Sequence, residues 1–200
     1  MDGYMKYTAL VPVKALVTAK SRLVPDLPPN RREKLVLDML YHVLRVLQDS
    51  KLFERISVVS PDARVLEQVR AWGAWALIEE RPGHNPALYA AALRERAGGA
   101  AALLTISADL PLLSTQEIRN LLEQSRHYEV VLAASRDGTG TNALLVRPPL
   151  AVPYLFGPNS LQRYLEAARQ RHLSHTIYDS AGLAFDIDTI VDLRELEAVS

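Results

Sequence analysis

The sequence predicts an α/β protein, a three-layer α/β/α sandwich built on a mostly parallel sheet. Apolar runs rich in β-branched residues alternate along the 200 residues with segments whose apolar residues recur at helical spacing. This alternation is typical of parallel strands joined by helices that cover the sheet. With 48% hydrophobic residues the chain can bury a substantial core, and its length favours one domain over residues 1–200.

The elements are predicted in order along the chain. We expect strands at residues 7–13, 55–60, 75–78, 101–107, 130–134, 142–146 and 176–178. We expect helices at residues 31–49, 61–72, 86–97, 115–125, 160–171 and 189–198. Ser60 and Pro61 fit the cap and the first position of the second helix. Ser114 and Glu117 have the spacing of a capping box before the fourth.

The composition narrows the class of partner. Lys plus Arg and Asp plus Glu both number 23, so no bulk positive charge indicates a nucleic acid or an anionic membrane. We therefore expect a small-molecule partner. The absence of cysteine excludes disulfides and thiolate metal sites. The N-terminus does not resemble a signal peptide and no apolar stretch is long enough to span a membrane, so we expect a cytoplasmic protein.

Two polar segments interrupt the alternation. Residues 13–30 follow the first strand and contain Lys14, Lys20 and Arg22, whereas residues 136–142 are rich in Gly and Thr. Long connections in compact domains are usually functional or disordered. A solvated basic loop is the alternative for the first segment. We interpret both as parts of a phosphate-binding site, because they offer cations, hydroxyls and backbone donors.

Acidic residues follow two apolar segments. Asp109 comes directly after the predicted strand at residues 101–107, and Asp186 and Asp188 lie close to the C-terminus. Each could instead cap a helix, and we expect one of Asp186 and Asp188 to do so. Capping does not explain why both acidic sites end apolar segments. Mg²⁺ is normally held by one or two carboxylates together with substrate phosphates, so we predict a Mg²⁺ site.

A third candidate segment runs from Phe156 to Arg163. Asn159 or Ser160 would cap the helix that follows, and the free amides of a helix start can bind an anion. In that interpretation Gly157 and Ser160 bind a phosphate or carboxylate and Arg163 adds charge. An ordinary capped surface helix is the alternative.

With these residues in view, the chain resembles the CofC family, the guanylyltransferases of deazaflavin coenzyme biosynthesis, within the MobA-like nucleotidyltransferases. Five motifs carry the resemblance in the family's order: Val11-Pro-Val-Lys14 with Ala19-Lys-Ser-Arg-Leu23, Ser107-Ala-Asp-Leu-Pro-Leu112, Asp137-Gly-Thr-Gly-Thr-Asn-Ala-Leu144, Phe156-Gly-Pro-Asn-Ser160, and Asp186-Ile-Asp-Thr189. The resemblance implies a Rossmann-like nucleotidyltransferase fold of the GT-A type.

The resemblance also implies a reaction and a set of site residues. The phosphate of 2-phospho-L-lactate, phosphoenolpyruvate or 3-phosphoglycerate would attack the α-phosphorus of GTP and release pyrophosphate. Catalysis would fall to Asp109 and Lys20, and the metal would be Mg²⁺ held by Asp109, Asp186 and Asp188. The residues implied to bind GTP are Val11, Pro12, Lys14, Lys20, Arg22 and Asn85. Those implied to bind the acid are Thr141, Gly157, Ser160 and Arg163.

Two departures from the family pattern leave the acceptor open. The family's Gly-Leu-Asn-Ala-Ala stands here as Gly83-His-Asn-Pro-Ala87, and Asn159 replaces a common Gly. A molybdopterin nucleotidyltransferase is one alternative, although this chain lacks that group's Gly-Gly loop. A catalytically silent regulatory domain is another, against which the intact acidic residues argue. An apolar last strand or helix would also allow a homodimer.

Overall fold

A seven-stranded sheet forms the centre of the computed structural model, which describes residues 7–199. The strands are β1 (Tyr7–Pro12), β2 (Phe53–Ser60), β3 (Trp75–Ile78), β4 (Ala102–Ile106), β5 (Val130–Ala134), β6 (Thr141–Val146) and β7 (His175–Ile177). Their order across the sheet is β3-β2-β1-β4-β6-β5-β7. Strand β6 runs antiparallel to β4 and β5, whereas the other pairings are parallel. The mostly parallel sheet is confirmed.

Helices cover both faces of this sheet. They are α1 (Pro29–Ser50), α2 (Ala63–Ala71), α3 (His84–Ala97), α4 (Thr115–Gln124), α5 (Ser160–Gln170), the short α6 (Ala181–Ala184) and α7 (Ile190–Val199). On β1, Ala9 and Val11 pack against α1, α2 and α4, whereas Leu10 packs against α3 on the other face. Helix α5 covers β5 and β6 on that second face. The predicted three-layer sandwich is therefore confirmed, with side chains of one strand alternating between two cores.

The strand order reverses beside β1. The chain moves outward from β1 to β2 and β3, then returns to β4 on the other side of β1. Open α/β sheets bind ligands at such a switch point, in the crevice beyond the carboxyl ends of the strands. Because β6 is antiparallel, its first residues lie at this same edge, where the Ser107 amide donates a 2.8 Å hydrogen bond to the Asn142 carbonyl.

The predicted start of the second helix is wrong by two residues. Ser60 is the buried last residue of β2, and its hydroxyl accepts a hydrogen bond from the Asp62 amide. Asp62 is the N-cap, accepting from the Arg64 amide at 3.0 Å. Its second carboxylate oxygen accepts from the Leu16 amide at 3.0 Å. The cap therefore also anchors the segment that follows β1.

Other local predictions vary in accuracy. The Ser114–Glu117 capping box is present at the start of α4. Helix α6 was not predicted, because four residues are too few for a periodic pattern. Within residues 7–199, no helix has the length and apolar character needed to cross a bilayer. The cytoplasmic location and the homodimer stay predictions.

Candidate active site

Three carboxylates converge beyond the carboxyl ends of β1 and β4, at the switch point of the sheet. One oxygen each from Asp109, Asp186 and Asp188 lies within 4.8 Å of the others. Asp109 follows β4, and the other two belong to the link between α6 and α7. The Ile187 amide donates a 3.3 Å hydrogen bond to the Asp109 carbonyl, which fixes one acidic segment against the other. The two acidic segments, which the sequence predicts to share one metal site, therefore form one cluster.

Neither Asp186 nor Asp188 caps the last helix, so that expectation is wrong. The helix start is closed by Thr189 and Asp192, whose side chains bond each other's backbone amides. The Asp192 carboxylate accepts from the Thr189 amide at 2.7 Å, and the Thr189 hydroxyl accepts from the Asp192 amide at 3.4 Å. Because this pair satisfies the first amides, both earlier carboxylates can face the cluster.

Asn142 supports the cluster from β6. Its side-chain amide donates to the Asp186 carboxylate at 3.1 Å and to the Leu183 carbonyl at 3.0 Å. Burial raises the pKa of Asp186, and the charges of Asp109 and Asp188 raise it further, against the opposing effect of the Asn142 hydrogen bond. A site that disfavours its own negative charge in this way is suited to a cation.

Lys20 supplies positive charge to the cluster. Its ammonium contacts Asp109 and donates to Asp188 at 3.1 Å. Burial acts to lower the pKa of Lys20, but the charges of Asp109 and Asp188 outweigh it and the pKa is raised. Lys20 has a left-handed backbone, φ 52°, which costs free energy in a non-glycine residue and persists where surrounding contacts hold it. The more exposed Arg22 donates to Asp188 at 3.1 Å.

The cluster lines a cavity of about 450 Å³. Lys14, Lys20 and Arg22 lie along it, as do Pro12 and the segment from Ser107 to Asp109. His84, at the start of α3, also lines it, and burial followed by the charge of Lys14 lowers the pKa of this imidazole. Val11 is buried in the core beneath the cavity. A cavity lined by both cations and carboxylates, with Lys20 and Arg22 paired to the cluster, is suited to a polyphosphate with a divalent metal.

The predicted acid-binding residues form a second group. The Ser160 hydroxyl donates to the Thr141 hydroxyl at 3.1 Å, and both side chains are buried. Asn159 is the N-cap of α5 without a side-chain hydrogen bond, so its predicted capping bond is absent, and Ser160 is the first residue of the helix. The Ser160 amide donates to the Gly157 carbonyl at 3.1 Å. Arg163 is exposed on α5.

Asn85 links this group to the cavity. Its side-chain amide donates to the Phe156 carbonyl and accepts from the Phe156 amide, both at 2.9 Å. The Phe156 ring meets the His84 ring edge to face at 5.4 Å. Asn85 therefore joins α3 to the segment before α5, and the nucleotide contact implied for it stays a prediction.

The Gly-rich segment at residues 136–142 folds around Asp137. This carboxylate accepts from the Ser135 hydroxyl at 2.6 Å and from the Thr139 amide at 3.0 Å. These hydrogen bonds hold the pKa of Asp137 well below its usual range. The Ser135 hydroxyl and the Thr139 amide thus hold the turn before β6, and the phosphate contact predicted for residues 136–142 stays a prediction.

Two residues support the site in ways that the sequence does not predict: Asn142, which bonds Asp186, and Glu117, which the sequence places only in a capping box. Glu117 belongs to the capping box of α4 and also accepts from the Gly182 amide at 2.8 Å and contacts the Ser180 hydroxyl. A Cβ on Gly182 would clash with the backbone carbonyl of Leu112 as well as with the Glu117 carboxylate, so this approach requires glycine. Asn142 could have been found from the sequence, because it is a polar residue in an apolar strand. A buried amide needs hydrogen-bond partners, and here these include Asp186.

The fold and this site define the chain as a nucleotidyltransferase of the α/β class. In structure, the chain is similar to a nucleotide-diphospho-sugar transferase of Desulfovibrio desulfuricans G20, with a TM-score of 0.79 and 17% identity over 96% of this chain and 86% of that one. It is also similar to the manganese complex of Rv0371C from Mycobacterium tuberculosis H37Rv, with a TM-score of 0.62 and 18% identity over 98% of this chain and 100% of that one.

The chain belongs to the family of CofC-like guanylyl transferases, whose model matches residues 7–198. It is 43% identical to the phosphoenolpyruvate guanylyltransferase of Rubrobacter xylanophilus, over 97% of this chain and 95% of the relative. It is 41% identical to the phosphoenolpyruvate guanylyltransferase of Sphaerobacter thermophilus, over 96% of this chain and 93% of the relative. It is 34% identical to the 2-phospho-L-lactate guanylyltransferase of Methanothermobacter thermautotrophicus, over 96% of this chain and 84% of the relative.

Proposed function

We propose that this protein transfers GMP from GTP to the phosphate of a small phosphorylated acid, with phosphoenolpyruvate as the first acceptor to test. A phosphate oxygen of the acid attacks the α-phosphorus of GTP, the bond to the bridging oxygen of the β-phosphate breaks, and pyrophosphate leaves. The observation that carries this proposal is the carboxylate cluster with Lys20 and Arg22 at the switch between β1 and β4. The names of the relatives support the choice of acceptor.

The three carboxylates fit a divalent cation such as Mg²⁺. They offer hard oxygen ligands within 4.8 Å of one another, and the pKa of Asp186 is raised by burial and, further, by the charges of Asp109 and Asp188. Asp109, Asp186 and Asp188 would hold the ion. When bound, the ion would supply charge neutralisation for the triphosphate.

The remaining roles follow from charge and position. Lys14, Lys20 and Arg22 would bind the phosphates of GTP, and Val11 and Pro12 would place the end of β1 beneath the nucleotide. Thr141, Gly157, Ser160 and Arg163 would bind the acid. Both reactants are anions, so the protein contributes mainly positioning and charge neutralisation, and no protein nucleophile is needed. The family resemblance supports a role for the product in deazaflavin coenzyme biosynthesis.

Pyrophosphate release tests the proposal. The purified protein is incubated with Mg²⁺ and each of GTP, ATP, CTP and UTP. The acceptors are phosphoenolpyruvate, 2-phospho-L-lactate and 3-phosphoglycerate, with molybdopterin in a separate reaction. We expect release with GTP and phosphoenolpyruvate, and loss of release when the metal is chelated. Absence of release with GTP and all three acids would refute the proposal. Release only with a pterin acceptor would establish the molybdopterin alternative instead.

A further inference from the structure

A second cavity, of about 240 Å³, adjoins the one that holds the carboxylate cluster. The two share part of their lining, including Pro12, Lys14 and His84. Beyond this shared rim the second cavity is lined mainly by small and apolar residues: Ala15, Val59, Pro61, Gly83 and Ala87. A nucleotide with its phosphates beside Lys14 can therefore extend its base into an apolar slot.

Glu79 brings a carboxylate to this slot. It is half-buried directly after β3, and its amide donates a 3.1 Å hydrogen bond to the Ser60 carbonyl at the end of β2. Within residues 7–199 its side chain has no hydrogen bond or ion pair to another residue. The next residue, Glu80, differs in both respects, because it is exposed and paired with Arg94. Glu79 thus lines the cavity and carries a carboxylate with no partner among the described residues.

The chemistry of a carboxylate selects among bases. Guanine carries two adjacent donors, N1–H and the N2 amino group, and a carboxylate can accept from both at once. Adenine presents an acceptor, N1, beside its N6 amino group, so one carboxylate oxygen would face a lone pair. A site built to pair with a substrate N–H discriminates strongly against an analogue that lacks it.

We propose that Glu79 determines the preference for guanine by accepting hydrogen bonds from N1–H and the N2 amino group in this second cavity. The inference rests on the proposed function, because it assumes that a nucleoside triphosphate lies with its phosphates at the carboxylate cluster. It adds the residue that distinguishes GTP from other triphosphates.

The test compares Glu79→Gln with Glu80→Gln, the same chemical change at the neighbouring exposed residue. We measure the Kd of GTP, ITP and ATP by calorimetry with Mg²⁺ present, and kcat/KM for each nucleotide with phosphoenolpyruvate. ITP lacks the N2 amino group. We expect the wild-type protein to prefer GTP to ITP, and Glu79→Gln to weaken GTP binding by about tenfold or more. A carboxamide can donate to adenine N1 and accept from its amino group, so the variant should gain affinity for ATP.

Glu80→Gln should keep the wild-type order of preference. An unchanged ratio of GTP to ATP affinity in Glu79→Gln would overturn the inference, and so would an equal change in both variants. A misfolded variant would lose affinity for every nucleotide. A gain in the affinity of Glu79→Gln for ATP would therefore show that residue 79 recognises the base. The calorimetry is also independent of turnover: if the wild-type protein binds GTP without releasing pyrophosphate, the proposed reaction fails while the base preference is still decided.

Discussion

The side-chain amide of Asn142 donates a 3.1 Å hydrogen bond to the carboxylate of Asp186 and a 3.0 Å hydrogen bond to the carbonyl of Leu183. One buried residue of β6 therefore holds both an acid of the cluster and the backbone that carries it. Asn142 itself does not belong to the cluster, so we assign it a positioning role.

Replacing Asn142 with Ala should raise the Mg²⁺ concentration needed for half-maximal activity by about 10- to 100-fold, a typical effect of losing a residue that orients a metal ligand. The KM of the acid should change much less. The variant should also unfold at a lower temperature, because a buried carbonyl loses its donor. Metal titrations of activity measure the first effect, with Asn120→Ala as the control, since Asn120 is exposed on α4 and bonds Gln116. An unchanged metal requirement would contradict the positioning role.

Replacing Asp109 with Asn should reduce turnover by at least about 10³-fold, because it removes a charge that neutralises the metal and shapes the site. The fold should persist, since Asp109 lies at a strand end and outside the apolar core. Pyrophosphate release and thermal unfolding measure the two effects. Asp38→Asn, at an exposed ion pair with Lys34, is the matched control. Near-wild-type activity of Asp109→Asn would refute the assignment of Asp109 as a ligand.

Replacing Ser160 with Ala should raise the KM of the acid by about tenfold, the effect of one lost hydrogen bond to a charged ligand. The KM of GTP should rise less, because Ser160 contacts Thr141 and neither lines the cavity of the carboxylate cluster. Initial rates with each substrate varied in turn give both constants. Ser174→Ala, at an exposed position beside Glu129, controls for the loss of a hydroxyl. A larger effect on GTP than on the acid would contradict this placement.

Glu117 should make stability depend on pH. Burial opposes ionisation, but hydrogen bonds from Ser180, Ser114 and Gly182 outweigh it and lower the pKa of this carboxyl below its ordinary value of 4.5. A depressed pKa contributes stability above the unfolded-state value, and this stability is lost as the pH falls through the folded-state pKa.

The variant Glu117→Gln should therefore be less stable than the wild type at pH 7, by about 1–2 kcal/mol, and the difference should shrink below about pH 4.5. Chemical unfolding at several pH values measures it. Glu123→Gln, exposed on the same helix and paired with Arg126, should show little difference. A constant deficit of Glu117→Gln across the pH range would show that charge is not the cause.

Local sequence patterns predicted most of the fold. Strand and helix positions followed from the spacing of apolar residues, and the capping box at Ser114 followed from the fit of Ser and Glu to a helix start. The predicted start of α2 is wrong because Ser and Asp are both common N-cap residues, so the sequence does not choose between Ser60 and Asp62. In the structure β2 extends to Ser60, which leaves Asp62 as the N-cap. The direction of β6 carries no local signal, because alternation is the same in parallel and antiparallel strands.

The sequence by itself determined the chemistry available to this protein: three carboxylates and three cations placed next to apolar segments, in an order that resembles the family. The tertiary structure decided which of them meet. Asp109 and Asp186 are distant in the chain. They lie together because the strand order reverses beside β1, and because the antiparallel β6 begins at the carboxyl ends of β1 and β4. Such contacts depend on long-range strand pairing and on the packing of buried side chains, which no short window of sequence contains.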